Sequence, residues 1–419
     1  MVRPGRPLEG TVAVGGAKNS ALKLMAGTLL AEGDYVLRNV PCITDVETMS
    51  ELLVSMGLGV ERTERHTVCI HRGPDVAPEA PYELVERMRA SIVVLGPLLS
   101  RFGTARVAMP GGDDFGSRPI DMHLAGLEQM GTVFSFSHGY IEARADRLLG
   151  ARIVLEFPSV GATENLLLAA VLAKGTTIIE NAAREPEIAD LAAFLNRMGA
   201  IILGAGSATI QIDGVEELSP VDHSVIPDRV EAATLLAAVA LAGGEVEVQG
   251  ARADHMDMPV NKLGDMGLRI SPHSSGIWSS CQGRLHSVDV STLPYPGIAT
   301  DYKPLFTTML SVADGVAIVT ENIFSGRFRY VPELIRMGAD IRTEGHHAVI
   351  RGVPRLSGAP VRAPDIRAGA ALVLAGLAAE GETVVADAFH VDRGYEDLPG
   401  KLRSLGADVI REGSPPPAC

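Results

Sequence analysis

Apolar positions along the chain fall into two interleaved series. In the first, an Ala/Leu-rich stretch with apolar residues on all sides ends at a glycine and gives way to a β-rich run, at Gly33, Gly103, Gly175, Gly244, Gly315 and Gly381. The spacing is roughly seventy residues. In the second, an amphipathic stretch ends in Met-Gly or Leu-Gly before a short strand, at Gly57, Gly131, Gly199, Gly267, Gly338 and Gly406. Leu52-Leu53-Val54-Ser55-Met56-Gly57, Leu195-Asn196-Arg197-Met198-Gly199 and Leu402-Arg403-Ser404-Leu405-Gly406 show the likeness. A helix that is apolar all round has to be buried, whereas an amphipathic one covers a surface. The pattern predicts six repeated units of the βαβαβ type, and two series locked in phase argue against chance recurrence. Three units per domain put buried helices inside and sheets outside, an α/β architecture.

Length and composition agree. The chain has 419 residues, enough for at least two full cores. Only 4% of it is aromatic and 45 residues are glycine, which favours layers of Ala, Val, Leu and Gly. A formal charge of −14 argues against a nucleic-acid partner, which needs a basic face, but leaves room for arginine pockets that take small anions. The opening Met1-Val2-Arg3-Pro4-Gly5-Arg6-Pro7 has no apolar targeting core, and no later apolar run reaches spanning length. A cytoplasmic protein with no membrane partner is expected. Cys42, Cys69, Cys281 and Cys419 lack zinc or disulfide spacing and are expected to be reduced. The closing residues 413–419, rich in proline, form a flexible tail by composition.

Several junctions carry possible chemistry. Gly15-Gly16-Ala17-Lys18-Asn19-Ser20 leads from a strand into the first buried helix, offering amide groups, a lysine and the positive helix end to an anion; a capped helix with a solvated lysine is the alternative. It is not a P-loop. Pro110-Gly111-Gly112-Asp113-Asp114-Phe115-Gly116-Ser117-Arg118-Pro119 is a glycine-punctuated loop able to act as a lid, or an acidic surface turn. Arg89, Asp228-Arg229, Arg327, Asp365-Ile366-Arg367 and Asp392-Arg393-Gly394-Tyr395 recur at junctions of the repeat. Singly, each arginine reads as a surface ion pair; converging, their forks suit a ligand carrying both phosphate and carboxylate. Asp301, in Ala299-Thr300-Asp301 after Pro294 and Pro296, is a helix cap or a general base. His123, His346 and His347 have no metal-ligand spacing, so no metal is predicted.

Together these motifs resemble the enolpyruvyl transferase family, in its MurA type. The resemblance runs through Gly16-Ala17-Lys18-Asn19, Arg89-Ala90-Ser91, Pro110-Gly111-Gly112, Gly116-Ser117-Arg118-Pro119-Ile120-Asp121, Ser159-Val160-Gly161-Ala162-Thr163, Ala183-Arg184-Glu185-Pro186-Glu187, Pro227-Asp228-Arg229 and Asp392-Arg393-Gly394-Tyr395, in the family's order. The shikimate-pathway branch differs at the lysine junction. The resemblance implies two inside-out α/β barrels, residues 18–225 and residues 1–17 with 226–412, the first carrying the lid loop 110–119. It implies transfer of the enolpyruvyl group of phosphoenolpyruvate to the 3-hydroxyl of UDP-N-acetylglucosamine with release of phosphate, the first committed step of peptidoglycan precursor synthesis, with no cofactor. The protein is then a monomer or weak homo-oligomer. Lys18, Arg118, Arg327 and Arg393 bind phosphoenolpyruvate and Asp301 takes the hydroxyl proton. Asn19, Thr300 and Arg89 orient the sugar, and Arg118, Pro119, Asp121, Met122, His123, Ser159, Val160 and Gly161 contact the uridine and diphosphate. Ile323, Asp365 and Arg367 complete the substrate contacts.

Two departures from the family pattern stand out. The usual lid cysteine is Asp113, an acid that can still give a proton to C3 of the enolpyruvyl group if burial raises its pKa. Without a thiolate, the epoxide fosfomycin is expected not to alkylate the site. The usual Phe-Pro-Thr-Asp-x-Gln is Ile298-Ala299-Thr300-Asp301-Tyr302-Lys303, where Lys303 is expected to add a charge near the sugar. That change leaves open a paralogue acting on UMP or another uridine nucleotide, and a non-catalytic nucleotide-binding scaffold is the reading of a different class.

Overall fold

A computed structural model of the chain describes residues 1–110, 120–324 and 326–413. The residues expected in the lid, Asp113, Arg118 and Pro119, and the tail beyond residue 413 lie outside the described residues. All twelve glycines of the two series have positive φ, from 67° at Gly103 to 123° at Gly33. This is why the repeat is punctuated by glycine: the chain must leave each helix through backbone space that a Cβ makes costly. At Gly103 the left-handed residue directly follows the helix Leu95–Phe102 and closes it through a bond to the Leu99 carbonyl.

The chain forms two compact units, one of residues 16–110 and 120–226, the other of residues 1–15 and 227–413. In the first, the buried helices Lys18–Gly27, Leu95–Phe102 and Val160–Ala170 lie within three four-stranded sheets. The sheet built on Thr176–Glu180 is typical: Arg152–Val154 pairs with it in parallel on one side, and the antiparallel hairpin of Ile201–Leu203 and Thr209–Asp213 lies on the other. The amphipathic helix Pro186–Arg197 precedes that hairpin and buries Ile188, Leu191, Phe194 and Leu195. Five of the six units of the repeat therefore end in two antiparallel strands joined by a short turn, where the pattern suggested one. The edge strand of the sheet around Gly33–Arg38 comes from Asp222–Ser224, so the last segment of this unit returns to complete its first sheet.

The second unit encloses the helices Arg229–Ala242, Lys303–Leu310 and Ile366–Leu377. Leu8–Ala13 supplies the parallel edge of the sheet containing Gly244–Gln249. In the sixth repeat no hairpin strand follows Asp408–Val409 among the described residues; Val2–Arg3 takes that place, antiparallel to it, with Val2 bridged to Thr383. Helices inside and sheets outside make each unit an inside-out α/β barrel, the predicted fold class. Strands alternate accordingly: in Val316–Thr320, Ala317 and Val319 are buried while Val316 and Ile318 are exposed. Each leucine such as Leu372, wholly removed from water, contributes about 1.5–3 kcal/mol.

Cys69 and Cys281 are free, but Cys42 is disulfide-bonded, which corrects the expectation of four reduced thiols. Spacing along a chain says little about neighbours in space. Among the described residues, no helix is long and apolar enough to cross a membrane.

Candidate active site

In the second unit Asp301 is held between two guanidiniums. Its Oδ1 accepts from Arg327 Nη1 at 2.8 Å and its Oδ2 from Arg367 Nε at 3.2 Å. Arg367 is aimed by the start of its helix, where Asp365 accepts from the amides of Arg367 and Ala368, both at 2.9 Å. Asp228 does the same for Arg229–Ala242, accepting from Val230 and Glu231. Asp301 itself caps nothing, so the capping alternative is excluded. Burial alone would raise the Asp301 pKa, but Arg327 and Arg367 outweigh it and hold the carboxyl below the usual carboxylate range. A quarter of its side-chain surface stays open, against 4% and 5% for the two arginines. An ionised carboxylate with one accessible face can receive a proton from a hydroxyl.

Thr300 lies beside it, donating from Oγ1 to Glu321 Oε2 at 2.8 Å and accepting from Arg327 Nη1 at 3.2 Å. Ile323 donates its backbone N–H to Glu321 Oε1 at 2.8 Å. Lys303 does not present its charge to a ligand: it is fully buried, with Nζ 2.8 Å from Glu321 Oε2 and 3.8 Å from the centre of the Phe328 ring. That corrects the expectation drawn from the departure at this position. The lysine opens the buried helix Lys303–Leu310, so its side chain turns inward to the Glu321 carboxylate. Arg393 is half-buried at the end of the short helix Phe389–Asp392.

In the first unit Lys18 begins its helix and is buried, with Nζ 2.7 Å from Asp45 Oδ2. It is not the solvated lysine of the alternative reading. Gly16 admits no side chain, since a Cβ there would fall 1.7 Å from the Asn39 carbonyl oxygen. Ser20 does not cap the helix but donates to Asp190 Oδ2 at 2.5 Å, and Asn19 is half-buried. His123 packs against the segment Ser159-Val160-Gly161: a Cβ on Gly161 would lie 3.2 Å from its ring, so the glycine is what lets the two meet. Ser159 caps that helix, accepting from Ala162 N at 3.3 Å, and leaves Val160 and Gly161 half-buried at its start. Asp121 is exposed and Met122 half-buried in the first turn of Asp121–Gln129.

Asn165 fixes the His123 ring. It accepts from Gly96 N at 2.6 Å and donates to the Ile92 carbonyl and to His123 Nδ1, both at 3.1 Å, leaving the proton of the neutral ring on Nε2. Burial, with the charge of half-buried Arg89 second, lowers the His123 pKa from 6.5 to about 4. The unfolded chain binds this proton first, so His123 contributes stability that is complete above pH 6.5 and is lost as pH falls toward 4. His123→Gln is expected to flatten the fall of the thermal midpoint across that window; equal slopes for variant and wild type would contradict this.

Sequence reasoning missed Asp45, Asn165 and Glu321. The one available signal was a polar residue inside an apolar run, as in Thr163-Glu164-Asn165 within the buried helix. Glu164 shows the cost of such placement, since burial, opposed by Lys23 at 3.2 Å, pushes its pKa up to about 7.

Inside-out α/β barrels with an arginine-clamped carboxylate define an anion-handling transferase class. Residues 2–402 match the family model described as EPSP synthase (3-phosphoshikimate 1-carboxyvinyltransferase), and the chain belongs to this family of enolpyruvyl transferases. Among relatives, the UDP-N-acetylglucosamine 1-carboxyvinyltransferase of Anaeromyxobacter sp. is 52% identical over 98% of this chain and 99% of its own. The protein of that name from Granulibacter bethesdensis is 51% identical, over 98% of each. Among solved structures, the enolpyruvyl transferase NikO from Streptomyces tendae superposes with a TM-score of 0.88 at 25% identity, over 98% of this chain and 97% of its own. An EPSP synthase from Acinetobacter baumannii, 18% identical and with a TM-score of 0.77 over 99% of each chain, shares the fold.

Proposed function

We propose that this chain is a carboxyvinyl transferase that joins phosphoenolpyruvate to the 3-hydroxyl of UDP-N-acetylglucosamine and releases phosphate. The observation that carries it is the ionised Asp301 between Arg327 and Arg367, in a chain about half identical, end to end, to enzymes bearing that activity's name. Asp301 takes the hydroxyl proton as the sugar oxygen bonds to C2 of phosphoenolpyruvate, while C3 gains a proton from Asp113. The resulting tetrahedral adduct keeps the phosphate and carboxylate charges, for which Lys18, Arg118, Arg327 and Arg393 are the counter-charges. Return of a C3 proton to the Asp113 carboxylate, with cleavage of the bond between C2 and the phosphate oxygen, then expels phosphate and restores the double bond. Arg89, Asn19 and Thr300 serve the sugar, and Asp121, Met122, His123 and Ser159 to Gly161 the nucleotide.

Phosphate release from phosphoenolpyruvate, with UDP-N-acetylglucosamine and UMP offered separately, tests this. Turnover with the nucleotide sugar alone is expected; turnover with UMP alone would move the enzyme to another acceptor. The internal pairing of Lys303 removes the main sequence argument for UMP. With aspartate at position 113, incubation with fosfomycin is expected to leave the intact mass and the activity unchanged. A mass increase by one fosfomycin at Asp113 would overturn that.

A further inference from the structure

Glu321 is a heavily used buried carboxylate of the second unit. Its Oε1 accepts from Thr292 Oγ1 at 2.8 Å and from the backbone amides of Ile323 at 2.8 Å and Phe324 at 3.0 Å. Its Oε2 takes Thr300 Oγ1 and the Lys303 ammonium, both at 2.8 Å. Four hydrogen bonds and the Lys303 ion pair on two oxygens hold the carboxylate in place, and neither Glu321 nor Lys303 exposes any side-chain surface. Neither can touch substrate. What Glu321 controls is Thr300: once the threonine hydroxyl gives its hydrogen to Glu321, its oxygen is left to accept from Arg327 Nη1, the same nitrogen that holds Asp301 Oδ1.

We propose that Lys303 and Glu321 are a positioning pair for the transfer, in which Glu321, held ionised by Lys303, sets Thr300 and through it the Arg327 fork that aims Asp301 at the acceptor hydroxyl. The proposal rests on Asp301 being the base of the reaction above. A protonated or amide side chain at position 321 offers a donor where Thr300 now donates, so the threonine turns and Arg327 loses the Thr300 oxygen as an acceptor. The charges facing the pair are Arg327 and Asp365, with Asp301 beyond Arg327. Burial lowers the Lys303 pKa to about 8, with Glu321 opposing; Glu321, which burial alone would push up, is held low by Lys303. The lysine is therefore charged at neutral pH and keeps the carboxylate ionised there. On this view the departure from glutamine at position 303 serves the interior of the site, not acceptor choice.

The test is steady-state phosphate release by the full-length protein across pH, with thermal melts, for wild type, Glu321→Gln, Lys303→Met and Lys303→Gln. Glu321→Gln is expected to lower kcat at least about tenfold while KM for UDP-N-acetylglucosamine stays within about threefold. Lys303→Met is expected to lower kcat similarly and to move the acidic limb of the profile upward by about one pH unit, because Glu321 loses its counter-charge. Lys303→Gln, which restores a donor to Glu321, is expected to recover most of kcat. Wild-type kcat and an unmoved limb in folded Glu321→Gln and Lys303→Met overturn the pair while leaving the reaction standing. So does a loss of rate matching the fraction unfolded in the melts. If Lys303→Met does not fold, Glu321→Gln and Lys303→Gln decide on the same criteria. A wild type that releases no phosphate overturns the reaction, and the pair with it.

Discussion

Replacing Asp301 by asparagine is expected to lower kcat for phosphate release by about 10²–10⁴-fold, the range associated with loss of a positioned base. The amide cannot take the proton that the sugar hydroxyl must lose as its oxygen bonds to C2. It also changes the charge balance: two nearly buried guanidiniums, Arg327 and Arg367, are left without the anion that separates them. Because Asp301 keeps a quarter of its surface open, solvent screens part of that repulsion, and a stability loss of about 1–3 kcal/mol is expected. The geometry contains a tension. Two cations that hold Asp301 ionised also make it a weak base. In the proposed reaction, recruitment of Arg327 to the phosphate or carboxylate of phosphoenolpyruvate would resolve it, because the Asp301 carboxylate would then regain basicity at the moment it is needed. Saturating kinetics with a urea melt of the same preparation separate the two effects. A folded Asp301→Asn variant within tenfold of wild type would mean that another group takes the proton.

Phe194→Ala is expected to cost about 3–5 kcal/mol, the usual range for emptying a buried phenylalanine site. Phe194 is fully buried on the helix Pro186–Arg197, with its ring edge-on to His223 at 5.5 Å and tilted against Tyr35 at 6.3 Å. It also lies so close to the first buried helix that a Cβ on Gly27 would come within 2.9 Å of its ring. Truncation opens a space that these surroundings cannot refill without moving His223, which donates from Nε2 to Asp190 Oδ1 at 2.8 Å. Since Asp190 also holds Ser20, two residues along from Lys18, the loss should reach the lysine junction. A lower urea midpoint with an unchanged m-value is the expected signature. A cost below about 1 kcal/mol would show that the core collapses around the missing ring.

The periodicity of the chain determined the architecture, because helices that are apolar all round must be interior and the exits from them need positive φ, which glycine alone adopts freely. That is why all twelve repeat glycines, read from spacing, adopt that conformation. The residue types of the site were legible too, since arginines and carboxylates recur at the same junctions of the repeat. Their pairing was not. Asp228, Asp301 and Asp365 sit in similar local sequence, yet two cap helices and the third is clamped by arginines 26 and 66 positions away. Lys303 read as a charge added near the sugar and is an internal counter-ion, because Glu321, 18 residues on, folds against it. Local sequence settles which backbone conformation is cheap; which charge meets which depends on segments far apart in the chain, and only the tertiary fold decides that.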